Sequence, residues 1–157
     1  MKMSVKDCRL PNRATENSAG YDFRSPTEVK LVPGEWVKID TGVRFDGSEK
    51  LPIPRQGKFG HILDRILGMR YCDRWCMKIY PRSSLGMKYG MRFSNTVGII
   101  DADYRNNIMI DVTVNVPYTI QKGERIAQGI LEQYYVFEDE EKPTEKRTGG
   151  MGSTGKV

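Results

Sequence analysis

The sequence predicts an all-β fold, a sandwich or barrel. Three observations support this: apolar and polar residues alternate with period two in separate runs, turn dipeptides divide the runs, and helical spacing is confined to one stretch. The first run places Val37, Ile39, Thr41, Val43 and Phe45 on one face and Lys38, Asp40, Gly42 and Arg44 on the other, as in a half-buried strand. A second sets Ile108, Ile110, Val112, Val114 and Val116 against Asp111, Thr113 and Asn115, and a third covers 126–137. Pro33-Gly34, Asp46-Gly47 and Lys122-Gly123 mark turns between them. Several short strands joined this way favour a sandwich or barrel over a parallel sheet. Only 60–70 has helical spacing, through Ile62, Leu63, Ile66 and Leu67, with Gly68 as its stop. No internal repeat is found.

At 157 residues and 18.0 kDa the chain fits one domain that can bury a core without disulfides or structural metal. Residues 1–8 lack the apolar region of a signal peptide and no stretch is long enough to cross a bilayer, so a soluble, cytoplasmic protein is expected. Cys8, Cys72 and Cys76 are read as reduced thiols. A net charge of +5 favours polyanionic partners, nucleic acid or small phosphates alike. The basic residues concentrate between 53 and 92, whereas 138–145 is acidic. The organisation expected is a single β domain over 1–137, with extra chain at about 46–74, followed by a flexible tether and Gly-rich end over 138–157.

Three segments carry candidate chemistry. The run Gly149-Gly150-Met151-Gly152-Ser153-Thr154-Gly155 can wrap phosphate with backbone N–H groups and hydroxyls, or it is a solvated tail. A P-loop is excluded, because Val157 stands where Ser or Thr is required. Asp101-Ala102-Asp103-Tyr104 follows an apolar run, and a carboxylate there can polarise water for attack on phosphorus; paired Asp also serves turns. Pro81-Arg82-Ser83-Ser84-Leu85-Gly86 offers a guanidinium and two hydroxyls for an oxyanion, or an ST-turn. His61, Cys72 and Cys76 lack a convincing fourth zinc ligand. Tyr71, Trp75 and Tyr80 fit packing better than base stacking, and direct nucleic-acid binding is not expected.

In their order along the chain these segments resemble the five motifs of the trimeric dUTPase family. Ala19-Gly20-Tyr21-Asp22-Phe23 is similar to the first, Pro81 to Gly86 to the second, and Asn95 to Arg105 to the third. Gly123-Glu124-Arg125-Ile126-Ala127-Gln128 is similar to the fourth, and Gly149 to Gly155 to the fifth. The resemblance implies a distorted jelly-roll, or β-clip, subunit. It also implies hydrolysis of dUTP to dUMP and pyrophosphate by water attack on the α-phosphorus, which limits uracil incorporation into DNA and supplies dUMP for dTMP synthesis.

Several residue roles follow from the same resemblance. Asp101 is the catalytic base; Asn95, Gly98, Ile100, Met109 and Met151 bind uracil, and Tyr104 excludes a 2′-hydroxyl. Arg82, Ser83, Ser84, Gln128, Arg147, Gly152, Ser153 and Thr154 bind phosphates. Magnesium bridges the phosphates, with Asp22 near its water shell. The tail closes from a neighbouring subunit of a homotrimer as a lid.

The chain departs from the family pattern in places. Lys146-Arg147 and Met151 stand where Arg-Gly and an aromatic ring are usual, so either basic residue could meet the γ-phosphate and Met151 covers the base more flexibly. Asn106 replaces a common glycine in a turn it can still form. The extra length at 46–74 caps the sandwich or, through Arg55, Lys58, Arg65, Arg70 and Arg74, binds a protein partner. A dCTP deaminase and a regulatory module are the competing functions; the first would not be expected to show these motifs together, while for the second the presence of Asp101, Tyr104, Arg82 and Gln128 argues against loss of activity and not against a second role.

Overall fold

The computed structural model describes residues 2–5, 9–48, 66–141, 147 and 149. Their order is β1 (Lys2–Val5), β2 (Tyr21–Arg24), β3 (Val29–Leu31), β4 (Val37–Asp40), β5 (Val43–Asp46), β6 (Met69–Pro81), α1 (Ser83–Tyr89), β7 (Arg92–Phe93), β8 (Gly98–Ile100), β9 (Met109–Thr113), β10 (Tyr118–Ile120) and β11 (Arg125–Phe137). All pairings are antiparallel. A four-stranded sheet runs β2-β11-β6-β8 and a three-stranded one β4-β9-β7, with β1-β5 and β10-β3 as two-stranded pieces and no closed barrel. One core joins them. Phe23, Met77, Ile79 and Ile126 come from the larger sheet, Ile39, Ile110 and Val112 from the smaller, and Val43, Phe45 and Ile120 from the pairs.

The alternation from Val37 to Phe45 survives, but it spans two strands in different sheets, which corrects the single strand expected there. Gly42 supplies the break with φ of 67°, a conformation open to glycine. Thr41 lies in the bend, fully buried, and its hydroxyl donates to Ile108 O at 2.7 Å while accepting from Val43 N at 3.2 Å. A buried polar group so satisfied keeps the inward phase through the turn.

Other expectations change in part. Thr113, assigned to the outer face, is 1% exposed between buried Val112 and Val114, and Val116 is half exposed beyond the end of β9. Of the helical reading over 60–70, residues 60–65 lie outside the described residues; Ile66 is helical and Gly68, left-handed at φ 62°, ends the turn as expected, so only Met69 and Arg70, which belong to β6, are corrected. β6 pairs with β11 from Met69↔Phe137 to Pro81↔Ala127, so the last part of the 46–74 interval extends the central strand pair. Of the two alternatives at 81–86, an oxyanion-binding segment or an ST-turn, the turn gives way to the start of α1. Leu85 anchors this short helix in the core, and Gly90, at φ 63°, caps it: Gly90 N donates to Gly86 O at 2.9 Å and Met91 N to Leu85 O at 3.3 Å.

Candidate active site

The register of the large sheet builds a cationic recess. Across β11, Gln128 lies opposite both Asp22 of β2 and Tyr80 of β6, and Arg82 follows directly as the chain leaves β6. Asp22 is 6% exposed, which for a carboxylate requires partners. It has two: Arg82 Nη1 donates to Oδ1 at 2.8 Å and Arg125 Nη1 to Oδ2 at 3.1 Å. Asp22, Arg82, Arg125 and Gln128 line the recess with Ser18, Ala19 and Gly20. One carboxylate faces two guanidiniums, so the recess keeps net positive charge for an oxyanion. Ser83 and Ser84 are exposed in the first turn of α1, beside Arg82 but outside that lining.

A second cavity, of about 210 Å³, opens at the edge formed by β8. β8 pairs with β6 through Ile79↔Gly98 and Met77↔Ile100, and the tight turn before it sets Thr96 at φ 61°. A β-branched residue there is strained, a condition that recurs at ligand sites. Asn95, Gly98, Ile100, Asp101, Tyr104, Met109 and Arg147 all line this cavity. Asp101 follows β8, where Tyr104 N donates to Asp101 O at 3.1 Å, leaving the carboxylate half exposed. Tyr104 is 7% exposed and its hydroxyl donates to Asn107 O at 2.9 Å. Burial, with Asp40 nearby, pushes its phenol up, so the ring stays neutral at physiological pH.

Arg147 is not in the cationic recess. It pairs with Asp101 and, through Nε at 3.1 Å, with Asp103, its guanidinium 5.8 Å from the centre of the Tyr104 ring. Asp103, read as a turn residue, thus also carries an ion pair. Met151, Gly152, Ser153 and Thr154 lie outside the described residues, as does Lys146.

The sequence reading missed Arg125, Lys38, Ser94 and Asp111. Arg125 stands inside the fourth motif, but its partner Asp22 is 103 residues away. Lys38 and Asp111 are cross-strand neighbours on the polar face of β4 and β9, and that face lines the cavity although Lys38 is also exposed.

Each oxygen of Asp22 accepts from one arginine, which leaves its remaining lone pairs for a metal's water shell, and among the described residues no group of three His, Cys, Asp or Glu could hold a metal directly. No helix of the described residues is long and apolar enough to cross a membrane.

Comparison with known proteins identifies the family. The family model for dUTPase matches residues 69–155, which hold Asp101, Tyr104, Arg82 and Gln128. The chain belongs to the dUTPase family. The deoxyuridine 5′-triphosphate nucleotidohydrolase of Tolumonas auensis is 36% identical over 155 residues, covering 94% of this chain and 87% of that protein. The dUTPase of Staphylococcus bacteriophage 80alpha, solved with dUPNHPP, superposes at a TM-score of 0.61 with 24% identity over 98% of each chain. A D95N dUTPase from phage phi11 of S. aureus, described with a structural Mg(II) ion, gives a TM-score of 0.60 at 20% identity, covering 95% of this chain and all of that one. These likenesses confirm the β-clip, jelly-roll architecture for this dUTPase.

Proposed function

We propose that this dUTPase hydrolyses dUTP with Asp101 as the base and Tyr104 as the wall that selects deoxyribose. The activity is that of its family: dUTP and water give dUMP and pyrophosphate. In the reading offered here, the Asp101 carboxylate takes a proton from a water, the water oxygen bonds to the α-phosphorus, and the α–β bridging oxygen leaves with pyrophosphate. Arg82 and Gln128 hold the phosphates, and Arg125 joins them in the same recess. Magnesium dependence is general in the family, and here the nucleotide's own phosphates would be its ligands.

The observation that carries this reading is the division of labour. Asn95, Gly98, Ile100, Asp101 and Tyr104 share one cavity, while Arg82, Arg125 and Gln128 share another, and no residue lines both. A nucleoside cavity and a phosphate recess separated on one chain support a site completed by other copies, hence a homotrimer with shared sites. Arg147 would then leave Asp101 and meet phosphate in a neighbour's site. A protein partner at 46–74 remains a proposal carried by the basic residues there.

Pyrophosphate release measured with dUTP, dCTP, dTTP and UTP, with and without Mg²⁺, tests the substrate. Only dUTP should be cleaved efficiently. Asp101→Asn should lower turnover by at least about 100-fold with unchanged folding, and full activity in that variant would refute the assignment. Light scattering should give three chains of 18.0 kDa, 3 × 18.0 = 54 kDa. A monomer that is fully active at high dilution would refute the shared site.

A further inference from the structure

The ring of Tyr104 is held by more than packing. Its hydroxyl is anchored on the carbonyl of Asn107, and the side chain of Asn107 is itself gripped at both ends. Arg44 Nε donates to Asn107 Oδ1 at 2.9 Å, and Asn107 Nδ2 donates to Asp40 Oδ2 at 3.0 Å. The orientation of that amide is forced, because a guanidinium only donates and a carboxylate only accepts; turned over, it would oppose like groups on both sides. Asp40 is fixed in turn, its other oxygen accepting from Gly42 N at 2.8 Å in the bend between β4 and β5. The next carbonyl, Ile108 O, accepts from Thr41 N and Thr41 Oγ1, and Ile108 N donates to Val43 O. The segment that receives the tyrosine hydroxyl is therefore stitched to the bend on both sides.

We propose that Asn107, held by Arg44 and Asp40, is a positioning residue that sets discrimination against ribonucleotides by fixing the Tyr104 ring. The inference rests on Tyr104 being the wall beside the sugar. A ring that excludes one hydroxyl must be placed to within a fraction of an ångström, and a phenol that loses its acceptor in a buried setting seeks another. Asn107 does not line the nucleoside cavity, so it acts on the sugar through Tyr104 and not by direct contact.

The test is the ratio of kcat/KM for dUTP to that for UTP, with kcat and KM determined separately. Asn107→Ala should lower the ratio roughly tenfold, chiefly by improving UTP. Tyr104→Phe, which removes the anchored hydroxyl, should lower it similarly. Exchanging the two side chains, Asp40→Asn with Asn107→Asp, keeps an acceptor for Arg44 and a donor between the pair, and should recover most of the wild-type ratio. Should Asn107→Ala fail to fold, Arg44→Ala breaks the same chain from its exposed end, with a fall of roughly threefold expected. An unchanged ratio in a folded Asn107→Ala, or in both Arg44→Ala and Tyr104→Phe, overturns the proposal. A wild-type chain that releases no pyrophosphate from dUTP would instead refute the functional reading beneath it.

Discussion

Gly129 marks a tight place in the core, and Gly129→Ala measures how little it can give. A Cβ built there would stand 2.6 Å from Phe23 Cε2, 2.9 Å from Met77 Sδ and 3.3 Å from Ile79 Cδ1. All three neighbours are at most 2% exposed, and Gly129 sits mid-sheet, paired with Tyr21 on one side and Ile79 on the other. Neither ladder can shift freely, so the side chains must. Overpacking of this kind costs about 1–3 kcal/mol, and the loss of unfolded-state freedom from glycine to alanine returns about 0.4–1 kcal/mol. A net loss of about 1 kcal/mol would lower Tm by roughly 2–4 °C in a chain of this size. The rigid ring is the principal clash. Phe23→Leu, itself costing about 1 kcal/mol, should therefore make the alanine better tolerated, and the double variant should be more stable than the sum of the singles by about 1 kcal/mol. Chemical denaturation of the four proteins at one protein concentration reads this directly. Additivity within about 0.5 kcal/mol, or a wild-type midpoint for Gly129→Ala, would refute the packing argument.

Asp22→Ala should destabilise the fold by about 2 kcal/mol, because it strands the Arg82 guanidinium at 19% exposure, while Arg125 at 41% rehydrates easily. The same change should raise KM for dUTP, and unchanged stability and KM together would deny Asp22 its organising role. Burial, with Glu132 nearby, pushes the Cys76 thiol above its ordinary 9.0, so folded protein at pH 9 should resist iodoacetamide at that residue, as peptide mass analysis would show. The unfolded thiol ionises first, so this group's contribution to stability is complete below about pH 9 and declines as pH rises further; rapid labelling of Cys76 in folded protein would contradict both statements.

What the sequence made legible was the inward phase of the strands and the order of the motifs. Val37 to Phe45 revealed which residues face the core, yet not the bend, because a buried and satisfied Thr41 preserves period two through it. The short helix at Ser83–Tyr89 escaped notice because it buries Leu85 alone and so has no apolar periodicity. Asp101, Tyr104, Asn95 and Gly98 were found through local motif order, and they do share a cavity. Asp22 was the harder case: its partners lie 60 and 103 residues away, and nothing local distinguishes an arginine-paired carboxylate from one beside a metal's water. Lys38 and Asp111 were hidden by the habit of reading the polar face of a strand as solvent.

The separation of the Asp101 cavity from the Arg82 recess has a genetic consequence. If each complete site draws these two residues from different chains, two inactive proteins can repair one another. Asp101→Asn and Arg82→Ala chains, denatured together and refolded as random mixed trimers, would leave about a quarter of sites with an intact carboxylate from one parent facing an intact guanidinium from the other. Activity would thus arise on mixing where neither parent has any, and a heterozygous cell carrying both alleles would be partly complemented.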